Sequence, residues 1–464
     1  MATGEGLSRV TAELIPVTTA IGHTGDVSPA ATGSRAYLPP LALPLWYFAY
    51  AHAALLVALA VVAADPRGVS GFFYHPRMLG VVHLLTLGWI TGSILGAIRI
   101  IAPLALRLTI PVTRGDYWAY GFVVIGTSGM VSHFWLESFD GMAWSAAMVV
   151  AGLAHPVARL AGRLRHIPVG GPVGLHLGLA CLNLLLAGVL GVAVAIDKVT
   201  DVVPGTALSN VYAHAHLAAV GWASMMVVGV GYRLLPMVLP SAMPEGRHLV
   251  TSALLLEVGL LGLVTCLVTG WRGGAVFGLL VALGLAWFLS RVIWMATHRR
   301  RAPAGRARPD VAVWQAAHAL LYLVLAAGCG LTLLTAGTRP WTPALMMAYG
   351  VFGLLGFLGQ LVVAMELRLL PLLAWYAGFA RRGGRPGPVS VHRLPAQPLA
   401  LASFVTWVLG LPLLAAGLTL DAVSLVGAGA WILLVGVALN AAQAVWILRP
   451  AWEGIRRGPL SARR

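Results

Sequence analysis

Charge is what this sequence has least of. Only 10% of its 464 residues are charged, against about 25% in soluble domains, and just 15 are Asp or Glu. Lysine occurs once, at Lys198. So little charge excludes an ordinary water-soluble domain. Cysteine is almost as scarce: Cys181, Cys266 and Cys329 each stand alone in an apolar run, which excludes a disulfide framework and a paired-thiolate zinc site. Alternating apolar and polar segments are missing, which excludes the strands of a membrane barrel. Residues 1–40 hold no apolar core of a signal peptide and read as a cytoplasmic N-terminal tail. The net charge of +16 comes from Arg between apolar runs, so no nucleic acid is expected as a partner.

What the chain has in excess is apolar sequence. It is 59% hydrophobic, with a mean hydropathy of +0.85, and runs of about 20 apolar residues, the length that crosses a bilayer, recur throughout. The expected fold class is all-α: a polytopic membrane protein in the lipid bilayer. The spans read as helices over 41–64, 77–101, 117–136, 141–163, 173–195, 208–236, 249–270, 274–296, 312–336, 344–370, 398–418 and 422–448. That predicts 12 transmembrane helices, which we number 1 to 12 in this order.

Three stretches share one pattern: 83–103 (HLLTLGWITGSILGAIRIIAP), 216–236 within the longer run from Asn210 to Pro240, and 351–371 (VFGLLGFLGQLVVAMELRLLP). Counted from His83, His216 and Val351, each has Gly five residues on (Gly88, Gly221, Gly356) and Pro twenty on (Pro103, Pro236, Pro371). Arg99, Arg233 and Arg368 follow at 16 or 17. So even a period marks an internal repeat. It predicts three pseudo-symmetric four-helix repeats, over 41–168, 169–297 and 298–450, with the shared stretch on the second helix of each and a basic tail at 451–464. Loops after the odd-numbered helices carry Arg67, Arg77, Lys198, Arg272 and Arg339, leaving 26 of the 31 Lys and Arg on the other side. The positive-inside rule then places both termini in the cytoplasm. The Arg/Pro/Gly-rich loops 297–311 and 379–397 read as flexible.

Fourteen His residues are many for such a chain, and an ionisable side chain inside the membrane is a functional candidate by default. Helices 2 and 6 run inward, so His83, His214 and His216 fall in the outer leaflet. These three are the leading cofactor ligands. His133 lies at their depth as a further metal-ligating candidate, and His75 lies in the loop just above. His214 and His216 are two residues apart and diverge by about 200° on a helix, so they cannot both serve one metal from one face but can serve two centres, one on each side. A second set, His52, His176 and His318, sits on the first helix of each group, roughly in register. They read as haem or metal ligands, proton-path residues or packing residues, with His52 as the ligand candidate nearest the membrane centre. His155, His166, His248, His298 and His392 read as interfacial or hydrogen-bonded. Arg99, Arg233 and Arg368 read as snorkelling to the interface, and Glu366 as a partner for Arg368 or Arg99.

Three four-helix groups with His on the second helix resemble subunit I of the haem–copper oxidase superfamily. HLLTLGW at 83–89 and HAHLAAVGW with GYRLLPM at 214–237 resemble cbb3-type subunit-I-like proteins most, and are similar to the NnrS family of haem- and copper-containing membrane proteins linked to nitric oxide. The resemblance implies haem b (one or two), with copper as a second metal. His83 would be the low-spin haem ligand, and His214 or His216 would fall at a copper-ligand position. It also implies the bacterial cytoplasmic membrane, a small gas such as nitric oxide or oxygen, and a redox partner protein or quinol. The family's helix-10 His pair is Tyr349 and Val351 here, and helix 7 has only His248. An ordinary terminal oxidase is therefore not expected. The expected role is a redox or nitric-oxide-related one: binding, detoxification or electron transfer by an oxidoreductase. The alternatives are a haem-free metal or proton permease and a structural subunit of a membrane complex.

Overall fold

The computed structural model describes residues 38–165, 171–303, 305–337, 339–381 and 390–456. Nearly all of the expected N-terminal tail, His166, most of the Arg/Gly-rich 381–385 segment and the end of the basic C-terminal tail lie outside the described residues. The chain is all-helical, with no strand among the described residues. Its long helices are α1 (Ala42–Ala64), α2 (Pro76–Ala105), α3 (Arg114–Leu136), α4 (Met142–Leu164), α5 (Pro172–Thr200) and α6 (Ala207–Val238). They continue as α7 (Arg247–Thr269), α8 (Gly274–Thr297), α9 (Val311–Ala336), α10 (Thr342–Gly378), α11 (Gln397–Thr419) and α12 (Val423–Arg456). Among the described residues, 11 are long and apolar enough to cross a membrane. The exception is α3, which has the length, 23 residues, but opens on the polar RGDYW run. This is a polytopic membrane protein.

The three repeated stretches form the centre. α2, α6 and α10 are each more than half buried, and α12, α1, α3, α4, α5, α7, α8, α9 and α11 pack as successive neighbours around them. The repeated helices are continuous but not uniform. Each turns π-helical at the same place in the pattern, over Leu84–Thr91, Leu217–Ser224 and Val351–Gly359. Wider i→i+5 turns, which concentrate at functional sites, replace the α-helical ladder where the three segments touch one another in all three pairings.

The shared glycines sit inside these segments and let the first helix of each group approach. A Cβ on Gly88 would lie 2.2 Å from Ala54 Cβ of α1, one on Gly221 2.7 Å from Asn183 Cβ of α5, and one on Gly356 2.6 Å from Tyr322 Cγ of α9. Overpacking of this kind costs about 1–3 kcal/mol. Gly88→Val is thus expected to lower the thermal midpoint in detergent, and an unchanged midpoint would contradict the packing described.

Aromatic side chains link the three helices in one rotational sense. Trp89, Trp222 and Phe357 occupy one repeat position. Trp222 Nε1 donates to Thr91 Oγ1 of α2, and Trp89 Nε1 donates to the Gly359 carbonyl of α10, both at 3.1 Å. Each acceptor lies two residues beyond the matching aromatic position of its own helix. The third link, from α10 to α6, has no donor because Phe357 lacks an N–H. Trp222→Phe strands a buried hydroxyl and is expected to cost about 1–2 kcal/mol, measured by the same unfolding assay; no loss would show the girdle to be neutral.

Two of the three arginines, Arg99 and Arg368, behave differently from the expectation. Arg99 is buried, 4% exposed, with its Nη2 2.5 Å from Asp116 Oδ1 at the start of α3. Arg368 donates to Asp310 Oδ1 at 2.5 Å and to the Val238 carbonyl. Aspartates from neighbouring segments take both head groups. Arg306 donates to the Val238 and Met237 carbonyls, both at 3.1 Å, tying the 298–310 loop under α6. Burial, followed by its neighbour Arg368, pushes the Arg306 guanidinium down to about 10. Burial first, then Arg306 and Arg368, also holds the His392 imidazole below its usual range.

Candidate haem-ligand cavity

A cavity of about 590 Å³ lies beside the three π-helical segments, walled mainly by leucine, valine and alanine from α2, α5, α6, α9 and α10. That volume falls within the ~300–1,000 Å³ typical of cofactor pockets. Three histidines border it: His83, His214 and His216. His83 and His216 each stand one residue before a π-helical segment.

Each of the three rings is held through Nδ1 by a backbone carbonyl. His83 Nδ1 is 2.7 Å from the Leu79 carbonyl, His214 Nδ1 2.9 Å from the Ala187 carbonyl of α5, and His216 Nδ1 2.8 Å from the Tyr212 carbonyl. A carbonyl only accepts, so Nδ1 carries the proton and Nε2 presents its lone pair. This second hydrogen bond is the usual support of a metal-ligating histidine. Gly191 of α5 makes room for His214, since a Cβ there would lie 2.8 Å from its Cε1.

His83 and His214 form a pair. Their ring centroids are 6.4 Å apart and their planes differ by 19°. Neither Nε2 has a hydrogen-bond partner among the described residues. Phe134 stacks on His83 at 5.1 Å. His216 turns the other way: its Nε2 accepts from the Tyr349 hydroxyl of α10 at 3.3 Å, with the rings 6.0 Å apart. Tyr212 donates to Met346 Sδ at 3.4 Å beside it. The position where the repeat loses its histidine thus carries the side chain that occupies another repeat's histidine.

The remaining candidates lie elsewhere. His133 Nδ1 donates to the Ser138 carbonyl at 2.6 Å and closes the turn after α3. His75 caps the start of α2. His176 is satisfied at both nitrogens, by the Pro172 carbonyl and Ser252. His318 Nδ1 donates to Gln360 Oε1 at 2.9 Å. His52 does not border the cavity; its Nδ1 donates to the Phe48 carbonyl and its Nε2 faces Glu366 at 3.4 Å. Glu366 accordingly pairs with His52, not with Arg368 or Arg99. The close approaches of Ala54 to Gly88 and Asn183 to Gly221 set a 129-residue offset between α1 and α5. At that offset His52 matches Cys181 and not His176, so the second histidine set is out of register. Among the described residues, no three His, Cys, Asp or Glu side chains gather as an ion site.

Three contributors escaped the sequence reading. Lys198 borders the same cavity, with Nζ donating to the Tyr74 hydroxyl at 3.0 Å and lying 4.6 Å over its ring. The Ala187 carbonyl and Gly191, which seat His214, belong to a helix with no repeat signal of its own. Being the single lysine was the one cue Lys198 offered. On α9 and α10 the cavity lining includes small residues, Ala326, Ala327, Gly330, Gly350 and Gly353, among larger ones such as Leu331, Leu334 and Phe357. No protein-family model matches the chain and no curated protein matches it, so the chemistry of this cavity rests on its own side chains.

Proposed function

We propose that the chain is a haem-binding membrane protein that carries electrons, with His83 and His214 as the axial ligands of a b-type haem in the outer cavity. The observation that carries this is the pair itself: two nearly parallel imidazoles bordering one apolar cavity, each fixed in the Nδ1–H tautomer, with both Nε2 lone pairs unused by protein. A pair is the number an axially ligated iron takes, whereas an ion site built from protein alone takes four or more ligands. When bound, the haem supplies a one-electron couple whose potential its axial ligands tune. The carbonyl bonds hold the imidazoles in orientation and raise their basicity. Lys198 offers a cation to a carboxylate side arm, and the aliphatic wall keeps water away. A haem held by both histidines would favour electron transfer over binding of nitric oxide or oxygen.

We read α3 as a twelfth span, which makes three parallel four-helix repeats over 41–168, 169–297 and 298–450. The matching π-helical segments, the three glycine approaches and the Trp89–Trp222 links support this reading. The arginine distribution supports cytoplasmic termini, in a bacterial cytoplasmic membrane.

The test is an oxidised and dithionite-reduced absorption spectrum of detergent-purified protein, with metal analysis on the same sample. A six-coordinate b-type spectrum, about one iron per chain and no response to carbon monoxide are expected. A spectrum shifted by carbon monoxide would mean that one histidine stands off, and would favour the nitric-oxide reading. The small residues Gly330, Gly350 and Gly353 beside Tyr349 in the cavity lining are what recommend that second reading. Protein without haem would overturn both and leave the permease or structural-subunit readings.

A further inference from the structure

Below the outer cavity, the three central helices border a second one of about 80 Å³. Ile90 and Leu358 border both, so a single layer of side chains separates them. Glu366 of α10 borders the smaller cavity among almost wholly apolar neighbours. Glu366 and His52 of α1 are both more than nine-tenths buried, with Nε2 to Oε2 at 3.4 Å. Trp89 packs edge-on against His52 at 5.1 Å.

The tautomer decides what this contact needs. His52 Nδ1 lies 2.9 Å from the Phe48 carbonyl and must donate to it. Neutral His52 therefore turns a lone pair toward the carboxylate, and two acceptors at this distance repel. One proton between them converts the contact into a hydrogen bond, whether it rests on Oε2 or on Nε2. Either way the pair is neutral overall, whereas without the proton a bare carboxylate stands in an apolar interior, which is strongly unfavourable. Glu366 Oε1 and Ser93 Oγ are buried without a protein partner, and both residues border the small cavity. Its volume exceeds several times the ~10–15 Å³ that one ordered water requires.

Among the described residues, Glu366 is the one charged side chain bordering this cavity. The α6, α8 and α9 side chains around this cavity are apolar, and α12, which packs on α1 and α10, has no titratable residue between Val423 and Leu448. Tyr47 and Tyr50 of α1 pack on Tyr120 of α3. Arg99 of α2 is taken by Asp116. The lower lining, Ile101, Leu235 and Leu369, lies at the level of the three repeat arginines.

We propose that Glu366 and His52 form a site that binds one proton, entering through the small cavity from the arginine-rich end of the bundle, and that this proton balances the charge of an electron arriving in the cavity above. The carboxylate takes the proton on Oε2 and shares it with His52 Nε2; no bond to carbon changes. The electron comes from a one-electron donor and stays in the upper site. The first half stands without the haem; the second rests on the haem reading.

Infrared spectroscopy of the purified protein, titrated with pH, tests the first half. Wild type is expected to show the C=O stretch of a buried protonated carboxyl, lost in Glu366→Gln. His52→Gln keeps the carboxyl but shifts its band, and serves if Glu366→Gln does not fold. A folded Glu366→Gln with the wild-type spectrum, or an unmoved band in His52→Gln, overturns the proton site. Redox titration of the haem tests the second half. Each tenfold change in proton activity is expected to move the wild-type potential by up to about 59 mV, with the slope flattened in Glu366→Gln. Equal slopes overturn the coupling and leave the proton site standing. A carboxyl band in protein that holds no haem would remove the haem reading alone.

Discussion

His83→Ala and His214→Ala are each expected to strip the proposed haem from the purified protein, and the reduced absorption bands with it. This is the largest effect expected on function. Losing an outer hydrogen-bond partner of a metal-ligating histidine already costs about 10–100-fold in affinity, and losing the ligand itself costs more than that. The lone pair removed is replaced by nothing nearby, because the next cavity histidine, His216, gives its Nε2 to Tyr349. His216→Ala is the informative control and should keep both iron and spectrum. Gly191→Val should give an intermediate result, since its side chain would press on the His214 ring without removing the ligand. Metal content and the reduced spectrum, measured on samples matched for thermal midpoint, decide it. Full haem content in His83→Ala would end the assignment.

Asp116→Ala should be the most destabilising single substitution outside that cavity. Asp116 is 1% exposed and accepts the Arg99 guanidinium, with His155 Nε2 at 3.4 Å and Arg159 Nε at 3.9 Å also turned to it. It also closes the first turn of α3 by accepting from the Thr113 amide and hydroxyl. Removing one partner of a buried pair typically costs about 3–5 kcal/mol, because the other charge is left uncompensated. Arg99 on α2 would be that charge. The expected outcome is a large fall in thermal midpoint and poor recovery from the membrane. Asp116→Asn keeps the shape and part of the hydrogen bonding and should lie between. A wild-type midpoint in Asp116→Ala would show that Arg99 finds water, as the snorkelling reading had it.

Helix positions were the most legible feature. Twenty-residue apolar runs bounded by Arg, Pro and Gly left little freedom, and α1 to α9 begin and end within about five residues of the expected limits. The glycine and arginine spacing singled out α2, α6 and α10, the helices that form the centre. It said less about what those residues do. The glycines serve helix contact because Ala54, Asn183 and Tyr322 come close, and none of those carries the pattern. Arg99 and Arg368 end on aspartates supplied by other segments, and Arg233 on Met243, which no periodicity along one helix can reveal.

The histidines divide along the same line. Residue spacing alone placed His83 near His216 in depth and sent His214 and His216 to opposite faces, because helical rise and twist are local properties. Composition and periodicity by themselves determined an all-helical membrane protein with a triply repeated central element. Only the tertiary structure decided that His214 faces His83, that Tyr349 occupies His216, and that Glu366 meets His52 and no arginine. Each of these is a contact between helices distant in sequence, set by which faces the packed bundle turns together, and a side chain's chemistry depends on the atom it is turned toward.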